Sequence, residues 1–325
     1  MILAVKCAQS EEQLKKAISM IKKYKLQGLE IQETFNIMKK VSIEKRVKLV
    51  IKHLKKSNIT HLAYHYPIKN KWDSIKEAKN YDLAWGSEKI IKLSKETIKE
   101  AAMVASKLGL DNFLPVNFHL FRFIEKKKIS KDEKKVGLKV GQSILIQLKN
   151  YADNICKEYG LLKRGKSLIQ ITRENNPPDH GFIDGLLDYN PLEIVRTKKY
   201  GIKNCLDFAH FQQYMNYIKY GKGELPGVNL DRRCYPTDID WEFAINILKD
   251  NIILVHINDA FGYKKEGEGL EVGKGEIKYD KVLSLLKSLK HNEIICTIEI
   301  KDGHINWWKV ENSIQLLLKK YNFLF

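Results

Sequence analysis

The chain has 325 residues, of which 44% are hydrophobic and 30% are charged, and this composition excludes a wholly disordered protein. Its length fits one large α/β barrel or two ordinary domains. The 57 Lys and Arg residues exceed the 39 Asp and Glu residues, giving a net charge of +18 that invites a nucleic-acid or anionic-substrate partner. Only seven of the cations are arginines, whereas surfaces that read bases or clamp phosphates favour arginine.

The start of the chain and its cysteines both indicate a protein of the cytoplasm. The opening MILAVKCAQSEEQ lacks the basic region and the long apolar region of a signal peptide, and no stretch is apolar enough for a membrane span. Five cysteines without a C-x-x-C pair suggest neither a disulfide framework nor a thiolate zinc site. We therefore expect a cytoplasmic protein with no membrane partner and with reduced, mostly buried thiols.

Short apolar runs alternate with amphipathic segments along the whole chain. The runs predict strands at 2–6, 28–32, 61–66, 113–119, 167–174, 202–207, 252–256 and 294–300. The amphipathic segments predict helices at 11–24, 43–56, 88–108, 137–159, 240–248, 279–289 and 307–320. Eight strand–helix units favour an α/β fold of the (β/α)8 barrel type, because parallel strands need helical crossovers. An open doubly wound sheet is the alternative, but VKCAQSEEQ lacks the glycine-rich loop usual after its first strand.

No Gly/Ser-rich or Pro-rich linker divides the chain, so we expect residues 1–325 to form a single domain. Two insertions, 121–135 and 211–236, follow predicted strands. The loops after barrel strands lie on the C-terminal face, where such barrels keep their active sites. We expect the insertions to enlarge these loops and to shape a substrate cleft.

Six consecutive predicted strands end in a histidine or a carboxylate. These residues are His65, His119, Glu174, Asp207 with His210, His256 with Asp259, and Glu299. Taken singly, such a histidine is more often a hydrogen-bonded structural residue and such a carboxylate often caps a helix. Six on successive strands favour a shared site, and this donor set suits a divalent metal such as Zn²⁺ or Mn²⁺. His61 lies deeper on its strand, and we expect it to be structural.

The chain resembles the xylose-isomerase-like TIM-barrel superfamily, which includes sugar isomerases and epimerases, inosose dehydratases and the endonuclease IV family. The resemblance covers essentially the whole chain. It rests on Glu174-Asn175 with Pro177, Leu206-Asp207-x-x-His210, Val255–Asp259, Gly273-x-Gly275-x-Ile277 and Glu299.

The resemblance implies that Glu174, Asp207, His256 and Glu299 bind one divalent metal, with His210 contacting substrate, as in the ketose epimerases. The two glutamates there also move the proton. In the endonuclease branch, the residues matching His65 and His119 join Glu174 around a second ion. A third ion of that branch needs His210 and a D-R-H motif, but Gly267 and Gly269 stand where its Asp and His would fall.

The leading hypothesis is a metal-dependent isomerase or epimerase of a sugar or sugar phosphate that works through an enediolate. Glu174 removes a proton and Glu299 returns one. We expect the substrate to contact His210, Arg173, His65 and His119. If the substrate carries a phosphate, Arg173, Arg122 or the Arg232–Arg233 pair could bind it. The alternative is that these arginines are ordinary surface residues.

The alternative is an abasic-site phosphodiesterase resembling endonuclease IV, and it is motivated by His65, His119 and the net charge of +18. The missing third ion site disfavours it, and nucleic acid is therefore the less favoured partner. A barrel that binds a metabolite without turnover is a third reading. Assembly into a homo-oligomer stays open.

Overall fold

The computed structural model describes residues 1–55, 57–67, 83–120, 131–176, 194–220, 239–263, 265–289 and 293–321. Within these residues the strands are β1 (Ile2–Ala8), β2 (Gly28–Gln32), β3 (His61–His65), β4 (Leu114–Phe118), β5 (Leu162–Lys163), β6 (Lys166–Ser167), β7 (Ile169–Glu174), β8 (Lys203–Asp207), β9 (Ile252–Ile257) and β10 (Ile295–Ile298). β5 and β6 form an antiparallel hairpin, and the other eight close a parallel barrel in which β1 pairs with β10. The predicted (β/α)8 barrel is confirmed.

Helices cover the outside of the barrel. They are α1 (Glu11–Tyr24), α2 (Phe35–Lys40), α3 (Ile43–Leu54), α4 (Glu88–Leu108), α5 (Lys131–Glu158), α6 (Phe208–Tyr220), α7 (Trp241–Leu248), α8 (Tyr279–Ser288) and α9 (Trp307–Lys319). α1 and α4 match their predicted bounds because local signals set their ends. Ser10 and Ser87 cap the two N-termini, and Gly109 ends α4 in the left-handed conformation. No described helix combines the length and apolar composition needed to cross a membrane.

The predicted insertion at 211–236 is partly wrong, because residues up to Tyr220 belong to α6. Helix α6 is buried along both its apolar and its polar positions, including Tyr214 and Tyr217. A helix surrounded by protein shows no apolar stripe, so its sequence gave no periodic signal. Residues 131–135 of the other insertion are the first residues of α5. The remainders, 121–130 and 221–236, lie outside the described residues together with Arg122, Arg232 and Arg233.

Two apolar layers build the barrel. The larger one lies between the strands and the helices. The smaller one fills the barrel interior with Ala4, Ala63, Cys205, Leu254 and Ile295. Glycine is required at position 28, because a Cβ there would lie 2.6 Å from the Ala4 Cβ. Because side chains alternate along each strand, the next inward positions toward the C-terminal end carry polar and charged groups.

Candidate metal centre

Four side chains from neighbouring strands converge at the C-terminal end of the barrel. Glu174, Asp207 and His256 occupy β7, β8 and β9, and Glu299 follows β10. Each offers one ligand atom, and these atoms all lie within 4.8 Å of one another. The first three side chains are buried, while that of Glu299 is 28% exposed. The four residues expected to bind metal are thus brought together.

The orientation of His256 is set by a glutamate that sequence reasoning missed. His256 Nε2 lies 3.1 and 3.2 Å from the two carboxylate oxygens of Glu30 on β2, so Nε2–H donates to Glu30. On its other side the ring directs Nδ1 at Glu174 Oε1, 3.2 Å away, and at Glu299 Oε2, 2.6 Å away, the position from which Nδ1 could bind a metal. A carboxylate behind the imidazole is the usual arrangement around a metal-bound histidine.

A second group shares Glu174. Its Oε2 lies 3.3 Å from His65 Nε2 and 3.0 Å from His119 Nε2. His65 Nδ1 donates to the Tyr66 carbonyl oxygen at 2.8 Å, and His119 Nδ1 donates to Asn176 Oδ1 at 2.6 Å. Both Nε2 atoms therefore face Glu174 Oε2. The ligand atoms of His65, His119 and Glu174 also lie within 4.8 Å of one another, as a second ion would require.

A hydrogen-bond relay fixes the Glu174 carboxylate. Asn117 Nδ2 donates to Glu174 Oε2, and Thr172 Oγ1 donates to Asn117 Oδ1 at 2.9 Å. All three side chains are buried. Because the threonine hydroxyl marks the amide oxygen of Asn117 as its acceptor, the NH₂ group must face Glu174.

Glu299 is held from the side by Lys6, a second residue that sequence reasoning missed. Lys6 Nζ on β1 donates to Glu299 Oε1 at 2.7 Å and lies 3.5 Å from Glu30 Oε1. The other oxygen, Glu299 Oε2, is buried and accepts no hydrogen bond, since its short contact with His256 lacks hydrogen-bond geometry. A buried carboxylate oxygen without a donor, aimed at three further ligands, fits a cation.

The electrostatics of the centre point the same way. Burial raises the pKa of Glu174, but His119 and His256 outweigh burial and hold that pKa well below its usual range. Burial likewise opposes the shift at Glu30, where His256 and Lys6 lower the pKa to about 2. Burial lowers the pKa of Lys6, but Glu299 and Glu30 outweigh it and the pKa rises. These shifts keep Glu174 and Glu30 ionised, which is the form in which a carboxylate binds a cation.

His210, on the first turn of α6, lies beside the cluster. Its Nδ1 donates to the Asn175 carbonyl oxygen at 2.7 Å, and its Nε2 lies 3.2 Å from Glu268 Oε1. Burial lowers the pKa of His210, but Asp207 and Glu268 outweigh burial and raise it to about 9. Glu268 stands between Gly267 and Gly269 and was also missed. The four candidate ion-binding groups of the described residues do not include His210.

Asp259 is also one of the predicted strand-end carboxylates, but its role is structural. Its carboxylate accepts the backbone N–H groups of Ala260 at 2.9 Å, Gly273 at 2.9 Å and Ile277 at 3.1 Å. At Gly275 a Cβ would lie 2.4 Å from Asp259 Oδ1, so the close approach requires glycine. The G-x-G-x-I motif therefore wraps around Asp259 and closes the loop after β9.

Two further residues lie away from the predicted ligand set. Arg173 is buried between Thr172 and Glu174 on β7, so strand alternation places it on the opposite face of the strand. Its assignment to substrate stays a prediction. His61 is buried, and its Nδ1 hydrogen-bonds with Thr60 Oγ1 at 2.8 Å.

The described cysteines are free and buried, as expected: Cys7, Cys156, Cys205 and Cys296. Cys205 Sγ, however, forms a compact group with Glu174 and His256. Burial raises the pKa of the Cys205 thiol well above its usual range. A protonated thiol is a poor metal ligand.

A cleft of about 430 Å³ opens onto the cluster and is lined by Lys6, Glu174, Asp207, His210, Glu268 and Glu299, among others. A larger cavity of about 630 Å³ lies at the N-terminal ends of the strands, between Lys163, Lys203 and Glu293. It contains none of the residues of the cluster. The cleft above the cluster is thus the place where a small substrate would meet the candidate ligands.

No protein-family model matches the chain, and no curated protein matches it. Among solved structures, the chain is similar to a D-tagatose 3-epimerase-like protein, with 18% identity over 99% of this chain and 100% of the other at a TM-score of 0.61. The 3-keto-D-glucoside 4-epimerase from E. coli shares 14% identity over 98% and 99% of the chains, with a TM-score of 0.58. A xylose isomerase domain protein from Planctomyces limnophilus shares 14% identity over 97% and 95%, with a TM-score of 0.57.

Proposed function

We propose that this chain, which has the xylose-isomerase-like barrel fold, is a divalent-metal-dependent sugar isomerase or epimerase. The observation that carries the proposal is the convergence of Glu174, Asp207, His256 and Glu299 within 4.8 Å at the floor of the cleft. The structural neighbours named as sugar epimerases support a sugar as the substrate class. Zn²⁺ and Mn²⁺ suit this donor set.

Each residue has a distinct role in the proposed reaction. The chemistry that a divalent cation supplies in such a centre is polarisation of a sugar carbonyl and the adjacent hydroxyl, which acidifies the intervening C–H group. Glu174 removes that proton, and its lowered pKa keeps it in the basic form. Glu299, whose side chain is 28% exposed, takes a proton from solvent and delivers it to the enediolate, and Glu174 then releases the proton it removed to solvent. His210 hydrogen-bonds a substrate oxygen.

The size of the cleft fits a monosaccharide substrate. Its volume of about 430 Å³ falls within the usual range for small-molecule sites, roughly 300–1,000 Å³. Lys301 also lines it and would favour a substrate with an anionic group such as a phosphate. We further propose that residues 1–325 form one domain in the cytoplasm, and pairing of β1 with β10 supports the single domain.

The abasic-site phosphodiesterase is the less favoured function. His65, His119 and Glu174 keep the geometry for a second ion. A third ion would need His210, but no candidate ion-binding group among the described residues includes it, and its Nε2 instead lies 3.2 Å from Glu268 Oε1. A duplex oligonucleotide with one abasic site tests this function. Nicking that a chelator abolishes would replace the isomerase proposal.

The isomerase proposal is tested by replacing Glu174 with Gln. The Mn²⁺-loaded wild type should exchange a C–H proton of its ketose substrate with D₂O, when ketopentoses and ketohexoses are screened by NMR with and without phosphate. Loss of a general base costs roughly 10²–10⁴-fold in rate, so exchange should almost vanish in Glu174→Gln. Glu158→Gln, at an exposed position on α5, is the matched control. Undiminished exchange in Glu174→Gln would show that another group is the base.

A further inference from the structure

Lys6 is a lysine inside the barrel, where a lysine is almost never found without a partner. Its side chain is 7% exposed and lines the cleft at the edge of the metal centre. Its neighbours along β1, Val5 and Cys7, point to the opposite face and are buried in the main core. The sequence alternation therefore commits position 6 to the barrel interior.

The ammonium group of Lys6 lies between two carboxylates. It donates to Glu299 Oε1 at 2.7 Å, which belongs to the four-residue cluster, and lies 3.5 Å from Glu30 Oε1. Glu30 is fully buried and contacts His256 Nε2 at 3.1 Å. Lys6 thus contacts the candidate ligand Glu299, and Glu30 contacts the candidate ligand His256. Lys6 and Glu30 also form an ion pair with each other.

Glu30 belongs to a further compact group. One oxygen of Glu30 and one nitrogen each of His65 and His256 lie within 4.8 Å of one another. In such a group an extra divalent ion would compete for His256 with the neighbouring cluster. The Lys6 ammonium already supplies Glu30 with a positive charge.

We propose that Lys6 is a fixed internal cation that offsets Glu30 and opposes the divalent ion at the neighbouring cluster, so that the Lys6–Glu30 pair sets the metal affinity of the centre. The inference rests on the proposed function, because it presumes a metal at the cluster. Lys6 is a positioning residue in this role, since it acts through Glu299 and Glu30. The positive charge of Lys6 is part of the protein, so unlike a metal ion it cannot dissociate from the centre.

The sign of the effect separates this role from a merely structural one. If Lys6 only oriented Glu299, its removal would loosen a ligand and weaken metal binding. If Lys6 opposes the ion, removal relieves a repulsion between a unit charge and a divalent ion a few ångströms apart, worth roughly tenfold or more in affinity. Replacing Glu30 by Gln leaves Lys6 uncompensated and should weaken binding by a similar factor.

The experiment titrates chelator-stripped protein with Mn²⁺ by calorimetry. Lys6→Met should bind Mn²⁺ at least about tenfold tighter than wild type, and Glu30→Gln at least about tenfold weaker. The double variant Lys6→Met/Glu30→Gln restores the wild-type net charge and should return the Kd to within about threefold. Lys6→Arg keeps the charge and should also stay near the wild-type Kd.

Weaker binding or an unchanged Kd in Lys6→Met would overturn the inference while leaving the proposed function intact. Absence of Mn²⁺ binding in the wild type would instead remove the proposed function itself. Circular dichroism and thermal unfolding monitor folding of each variant. If Lys6→Met does not fold, Glu30→Gln decides, since an unchanged Kd in that variant would also overturn the inference.

Discussion

The buried ring of His210 predicts how the stability of the metal-free protein depends on pH. Burial lowers its pKa, but Asp207 and Glu268 outweigh burial and raise it to about 9 in the folded chain, against about 6.5 for an ordinary histidine. A group whose pKa is raised on folding contributes stability below its unfolded pKa and loses it as the pH rises through the folded value. His210 should therefore stabilise the fold fully below about pH 6.5 and not at all well above pH 9.

The size of this contribution follows from the two pKa values. A difference of roughly 2.5 units at 1.36 kcal/mol per unit corresponds to about 3 kcal/mol. His256 shifts in the same direction, because the carboxylates of Glu174 and Glu299 raise its pKa against the opposing effect of burial. The total pH dependence therefore contains both rings, and His210 must be isolated by comparison with a variant.

Urea unfolding in the presence of EDTA at about pH 6 and pH 9.5 measures the effect. Between these conditions the wild type should lose about 3 kcal/mol more unfolding free energy than His210→Asn. His304→Asn, at an exposed position, should behave like the wild type. Equal losses in the wild type and His210→Asn would refute the reasoning, because His210 would then not change its proton affinity on folding.

Three further outcomes follow from named contacts. Arg46 Nε donates to Glu100 Oε2 at 2.7 Å with both side chains buried, so Arg46→Met should cost about 3–5 kcal/mol in urea unfolding, and a loss under 1 kcal/mol would contradict this. Asp259→Asn cannot accept all the backbone donors of its loop and should cost about 1–3 kcal/mol by the same assay; unchanged stability would remove its clamping role. Mn²⁺ at about 100 times its Kd should stabilise the wild type by about 2.7 kcal/mol but Glu299→Gln far less, and equal stabilisation would place the ion elsewhere.

Strand-end residues could be recognised in the sequence because the apolar run of a strand and the residue that ends it are both local features. Apolar runs mark the strands, and in a closed parallel barrel every strand delivers its last inward side chain to the same end. Glu174, Asp207 and His256 could therefore be placed on one rim without knowledge of any contact. Asp259 satisfied the same rule, yet its carboxylate binds the backbone of the following loop.

Lys6 and Glu30 escaped prediction because a charged inward residue looks like a solvent-facing one. Each alternates with apolar neighbours, as in VKC and LEI, and this pattern is also typical of a half-exposed strand. Only the closure of the barrel turns both residues inward. Glu268 escaped prediction for another reason. The comparison with the D-R-H motif concerned the positions of its Asp and His, which are Gly267 and Gly269 here, and the residue between them was not considered.

By itself, the sequence determined the order of strands and helices, the barrel, and the set of His and carboxylate residues at its C-terminal end. These follow from periodicity and chain order, which are properties of neighbouring residues. The tertiary structure decided which charges meet. Lys6 and Glu299 are 293 residues apart, and Glu30 and His256 are 226 apart. Such pairs form only when the first and last strands close the barrel. A charged side chain inside the closed barrel is stable only when an opposite charge from another strand compensates its burial.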